Sequence, residues 1–142
     1  VSESAFGVSR RNALKFLAAG LASIGLSSLA TPALAAAKTY NVCKTTGIKV
    51  GSARLFSVGG RYVVITQPKK GVFRAFNGNC THQGAPLAAK LGDVRTTSGS
   101  MICPQHGAGF DANSGAVTRG PASAPLTKIA VKVSATQVSI SF

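Results

Sequence analysis

Residues 80–84 read Cys80-Thr81-His82-Gln83-Gly84, and residues 103–107 read Cys103-Pro104-Gln105-His106-Gly107. Each stretch sets a thiol, an imidazole and a glycine within five positions, and each follows a short apolar run that ends at Phe76 or Ile102. A backbone that closes around an ion at the end of a strand needs this composition, so loops are expected over Cys80 to Pro86 and Cys103 to Gly109. Between His82 and Cys103 lie 20 residues, enough for an excursion and a return strand. The two loops can therefore meet at one place.

Outward from the loops, the chain from Ala36 onward shows no helical period of useful length. Short runs rich in Val, Ile, Phe and Thr alternate with turns that contain glycine. Strands are expected over Arg54 to Val58, Tyr62 to Gln67, Val72 to Phe76, Met101 to Ile102, Ala116 to Thr118, Ile129 to Ser134 and Gln137 to Ser141. Gly59-Gly60, Asn77-Gly78 and Ser98-Gly99 are among the turns that would separate them. The fold class is all-β. With 142 residues, no Trp and few other aromatics, the chain has room for one modest core, and its folded part is expected to span about 100 residues.

A thiolate and an imidazole from each loop make two soft sulfur and two nitrogen donors, namely Cys80, His82, Cys103 and His106. This donor set suits a tetrahedral zinc ion or an iron-sulfur cluster of mixed ligation. In common zinc sites both members of a Cys-x2-Cys or His-x3-His pair bind one ion, and Cys-x-His is an awkward span for that. The short spacing is natural if each loop gives its Cys to one iron and its His to the other. Cys43 has no His neighbour and is read as a buried or free thiol.

The pattern Cys-x-His with Cys-x2-His, each followed by Gly84 or Gly107, resembles the Rieske family. Phe110-Asp111, Gly120-Pro121-Ala122 and Pro125-Leu126 extend the likeness over roughly Ile48 to Phe142. The resemblance implies one 2Fe-2S cluster on a stack of three antiparallel sheets, at the tip of a small subdomain made by the two loops. Cys80 and Cys103 would hold the inner iron, and His82 and His106 the outer one near the surface. Gly120 to Pro125 would form the loop that covers the cluster. Replacing two thiolates by neutral imidazoles removes negative charge and raises the potential above that of an all-cysteine cluster.

The sequence departs from the high-potential members of that family in two ways. Ala85 and Gln105 stand where those relatives carry a disulfide between the loops, and Ala108 and Phe110 stand where they carry a Ser and a Tyr that donate hydrogen bonds to the cluster. Two lost bonds of about 1 to 2 kcal/mol each lower the potential by roughly 80 to 170 mV. The potential is thus expected in the lower part of the Rieske range.

At the N-terminus, Arg10-Arg11 with Leu14 and Lys15 precede an uncharged apolar run from Phe16 to Ala37 that ends in Ala33-Leu34-Ala35. This layout resembles a twin-arginine signal peptide, residues 1–35, with cleavage after Ala35, followed by an N-terminal segment 36–47 and the domain proper at 48–142. An uncleaved anchor is the other outcome. The protein is expected outside the cytoplasm, in the periplasm or at the outer face of the membrane.

The net charge is +13, and from position 36 onward 13 Lys and Arg face only Asp93 and Asp111. An acidic redox protein is the expected partner, with an anionic membrane or wall surface as a further match. The cations are scattered without aromatic interleaving, so no nucleic acid is expected. The two acids are read as turn residues, and no catalytic residue is assigned. The function expected is an exported one-electron carrier or electron-transfer subunit. The alternative is the Rieske subunit of a quinol-oxidising cytochrome bc-type complex or of another exported oxidoreductase.

Overall fold

The run Val63-Val64-Ile65 carries no polar residue in three successive positions, and none of the three is exposed to any degree. A strand hides both faces in this way only when cores lie on both sides of it. Val63 and Ile65 enter a core with Ile48, Phe73, Ala75, Val138 and Ile140, while Val64 enters another with Leu55, Phe76, Leu87, Met101, Phe110 and Leu126. The second core also holds Cys80 and Cys103.

The structure is a computed structural model and describes residues 36–142; the export segment expected over 1–35 lies outside the described residues. In chain order the strands are β1 (Thr39–Lys44), β2 (Ala53–Val58), β3 (Arg61–Lys69), β4 (Val72–Asn77), β5 (Gly92–Val94), β6 (Thr96–Thr97), β7 (Ser100–Ile102), β8 (Gly109–Asp111), β9 (Val117–Arg119), β10 (Lys128–Val133) and β11 (Gln137–Ser141). A single 3-10 turn, Thr45–Gly47, follows β1, and no α-helix occurs among the described residues.

Seven strands follow one another in the order β1-β11-β10-β4-β3-β2-β5, and four more in the order β6-β7-β8-β9; every pairing is antiparallel. Strand β10 changes partner along its length. Lys128 and Ile129 pair with Phe76 and Ala75 of β4, and Ala130 to Val133 pair with β11. The seven strands thus form two sheets joined at β10, which with the four-stranded sheet make three.

All seven strands read from the sequence are present, two of them shifted by one residue. Four were not expected, and their chemistry explains why. Strands β5 and β6 are three and two residues long, too short to show a period, and β8 begins inside the stretch read as the second loop. Strand β1 falls in segment 36–47 and carries mixed polar residues with no fully buried position. It is held at the sheet edge by pairing from Thr39 with Ser141 to Lys44 with Gln137.

Two features join the larger sheets to the loop region. Thr66 on β3 is fully buried, and its hydroxyl donates to the carbonyl of Ala112 just past β8 at 2.6 Å. Gly78, leaving β4, sits so close to β3 that a Cβ there would lie 2.9 Å from the Tyr62 carbonyl carbon. No side chain fits at that point, which sets the height at which the first loop leaves the sheet.

Candidate metal centre

The first loop closes on its own backbone: Cys80 N–H donates to Ala85 O at 2.7 Å, and Gly84 N–H donates to Cys80 O at 2.8 Å. In the second, Cys103 N–H donates to Ala108 O at 2.8 Å, and Gly107 N–H donates to Cys103 O at 3.0 Å. Both turns end on a glycine at φ 75°, a left-handed conformation that costs other residues roughly 1–2 kcal/mol. The loops are the same turn used twice. They differ in placing the histidine two residues after Cys80 but three residues after Cys103.

The four expected donors come from these paired turns. Cys80 and Cys103 are buried at 3% and 2% exposure in one core, while His82 is half-buried and His106 exposed. The two imidazoles face each other edge to face with ring centroids 4.9 Å apart. Thiols inside and imidazoles outside suits a two-iron centre in which one iron takes two Cys and the other two His.

Burial pushes the Cys80 thiol above its ordinary pKa, and the neighbouring Cys103 sulfur adds to the rise. The backbone amides of His82 and Gln83 donate to the Cys80 sulfur and act in the opposite direction. Without a cation such a thiol keeps its proton; a bound metal displaces it, and the amides then serve the thiolate. Nδ1 of His82 is buried with no hydrogen-bond partner. An orphaned buried nitrogen costs about 1–3 kcal/mol, and metal coordination would remove that cost. The residues fit the cluster. Among the described residues no three His, Cys, Asp or Glu side chains converge as ligands of a single ion, whereas a two-iron cluster asks only two protein ligands of each iron.

The segment from Gly120 to Pro125 reaches the first loop. The Thr81 hydroxyl donates to Ala124 O at 2.6 Å, and Ala122 is buried in the same core as both cysteines. Asn79 was not singled out in the sequence. Its side-chain amide donates to Gly84 O at 2.8 Å and braces the first turn from outside; an Asn directly before a loop cysteine is the only signal that marked it. Cys43 lies on β1 against the other core, away from both loop cysteines' core.

Asp111 follows the second loop as the anchor of the β8–β9 turn. Its Oδ1 accepts from the Ser114 hydroxyl at 2.8 Å and from the backbone amides of Ser114 at 2.7 Å and Asn113 at 3.0 Å. Ser114 first, through hydroxyl and amide, and then Asn113 hold the carboxyl below its usual pKa. A lowered folded-state pKa stabilises the fold above the unfolded value and is lost as pH falls through the folded one. Asp111→Ala should therefore cost about 1–2 kcal/mol in urea unfolding at neutral pH. The difference from wild type should shrink as pH drops below about 4.

Twin loops that bury two thiols and raise two imidazoles toward solvent, carried on antiparallel sheets, define an iron-sulfur domain. The chain belongs to the Rieske family: the family model described as "Rieske [2Fe-2S] domain" matches residues 38–132. The fold agrees with solved members. The ferredoxin of carbazole 1,9a-dioxygenase from Nocardioides aromaticivorans is 25% identical, with 72% of this chain and 96% of that one covered at a TM-score of 0.60. The cyanobacterial plasma membrane Rieske protein PetC3 from Synechocystis PCC 6803 is 27% identical, with 71% and 97% covered at 0.59. Apoptosis-inducing factor 3 of Mus musculus is 30% identical over 99 residues, 70% of this chain. The chain spans only 16% of that relative's length.

Proposed function

We propose that this Rieske domain is an exported one-electron carrier, or the electron-transfer subunit of an exported oxidoreductase, with Cys80 and Cys103 on the inner iron and His82 and His106 on the outer one. The observation that carries it is the His82–His106 pair, 4.9 Å apart on the solvent side of two buried thiols. When bound, the cluster supplies reversible uptake of one electron. The residues of the chain do the rest. The buried cysteines and Ala122 exclude water from the inner side, the amides of His82 and Gln83 donate to the Cys80 sulfur, and exposed His106 offers the edge at which a partner receives the electron. Protein purified from cells that make iron-sulfur clusters should hold two irons and two acid-labile sulfides per chain, and its reduced form should show the low average g value of mixed Cys and His ligation. Zinc without sulfide would overturn the assignment.

The partner we infer is an acidic redox protein. Asp93 lies 3.1 Å from Arg54, and Asp111 is committed to its own turn, so the two acids of the described residues leave the basic surface almost uncompensated. An anionic membrane or wall surface is a second match for that charge. A role in quinol oxidation is disfavoured by Ala85, Gln105, Ala108 and Phe110, which supply neither a disulfide nor hydroxyl donors. The low-range potential follows from the same positions.

Export is inferred from Arg10, Arg11 and the apolar run behind them. A cluster built in the cytosol cannot pass a channel that threads unfolded chains, so a folded-protein route gives the arginine pair its purpose. Replacing both with Lys should leave the precursor in the cytoplasm, measured by cell fractionation. Delivery of that variant through the unfolded-chain route would contradict the twin-arginine reading.

A further inference from the structure

A cleft of about 710 Å³ opens where the start of β3, the end of β4, the start of β10 and the end of β11 come together. Arg61 and Lys128 line it, with Tyr62, Asn77, Asn79 and Phe142, and no Asp or Glu side chain does. Both cations are exposed, and the Arg61 guanidinium lies 5.0 Å from the centroid of the Phe142 ring. A guanidinium stacked on an aromatic ring is held in place, so it loses less freedom when a carboxylate arrives. The side-chain amides of Asn77 and Asn79 and the hydroxyl of Tyr62 add groups that can donate hydrogen bonds to the same anion.

The cleft also borders the metal centre. Asn79 lines it, directly precedes Cys80, and donates to Gly84 O in the first loop. Resting on the acidic-partner reading above, we propose that this cleft is the docking site for a carboxylate-bearing segment of the redox protein partner, seated on Arg61 and Lys128. An occupant there sets its negative charge beside the first cluster loop. The reduced protein, with one more negative charge, must then bind the segment more weakly than the oxidised protein, and by reciprocity the segment lowers the midpoint potential.

The test uses the cluster-loaded protein and a fluorescent hexaglutamate peptide at low ionic strength, with affinity read by anisotropy. The double variant Arg61→Gln with Lys128→Gln should bind about tenfold more weakly, and Lys128→Gln alone about threefold, since partly exposed ion pairs each contribute modestly. A charge-matched control, Lys44→Gln with Lys132→Gln, should change affinity less than twofold, because neither residue lines the cleft. Tighter peptide binding to the oxidised than to the reduced protein should accompany this. Equal losses in both double variants would overturn the cleft while leaving the acidic-partner reading standing. No peptide binding to any form would overturn that reading and the cleft with it. Displacement of the peptide by an equal concentration of inorganic phosphate would make this a small-anion site. Retention on phosphatidylglycerol vesicles through Arg61 and Lys128, without peptide binding, would make it a lipid-facing surface. Each of these last two results would also overturn the proposal.

Discussion

The His106→Ala variant is expected to carry no cluster: iron and acid-labile sulfide should fall from two of each per chain to none, and the visible absorption should vanish. His106 is exposed and lies outside both cores, so its removal costs the fold little. On the proposed ligand set its loss would leave one iron with a single protein ligand. Cys80→Ser and Cys103→Ser should give the same loss of metal with a larger loss of stability, because both thiols are buried in the core that Leu87, Met101 and Phe110 share. Far-ultraviolet circular dichroism separates the two effects, and the His106 variant should keep its β signal. Cys43→Ser is the control. Cys43 packs against the core of Val63 and Ile65, apart from the core that holds both loop cysteines, so it is not placed to share their centre. Full loading is expected in that variant. Loss of the cluster there would show that the ligand set is wrong.

The cluster loops were legible because their chemistry is local: a Cys, a His and a Gly within five positions mark a turn, and the turn is all that geometry needs. The run through Val63, Val64 and Ile65 was legible as a strand because burial on both faces leaves a continuous apolar signal. Strand β1 was not, since an edge strand is held by backbone pairing to β11 and needs little side-chain burial. The bracing of the first turn by Asn79, and the tie from Thr81 to Ala124 43 residues away, depend on where loops meet in space. No spacing rule reports such contacts. Thr66 was likewise read only as part of a strand, although its hydroxyl links that strand to Ala112, 46 residues later.

Introducing Ser at position 108 and Tyr at position 110 should raise the midpoint potential stepwise, by roughly 40 to 90 mV per hydroxyl. Ala108 and Phe110 are both fully buried in the core that holds Cys80 and Cys103. Ala108 also closes the second loop, since its carbonyl accepts from the Cys103 amide. A hydroxyl placed there has no water to turn to. It either donates to a sulfur of the centre or stays unpaired, and the two cases separate cleanly. A donated bond stabilises the reduced state, whose negative charge is greater, and keeps thermal stability near wild type; an unpaired hydroxyl leaves the potential unchanged and costs about 1–3 kcal/mol of folding free energy. Film voltammetry together with thermal unfolding of the Ala108→Ser, Phe110→Tyr and double variants reads both quantities. A wild-type potential already near +300 mV, roughly the top of the family range, would mean that water exclusion by Ala122 and the amides directed at Cys80 dominate the tuning. The preference for a carrier over a quinol-oxidising subunit would then lose its physical basis, because that preference rests on the missing donors at 108 and 110.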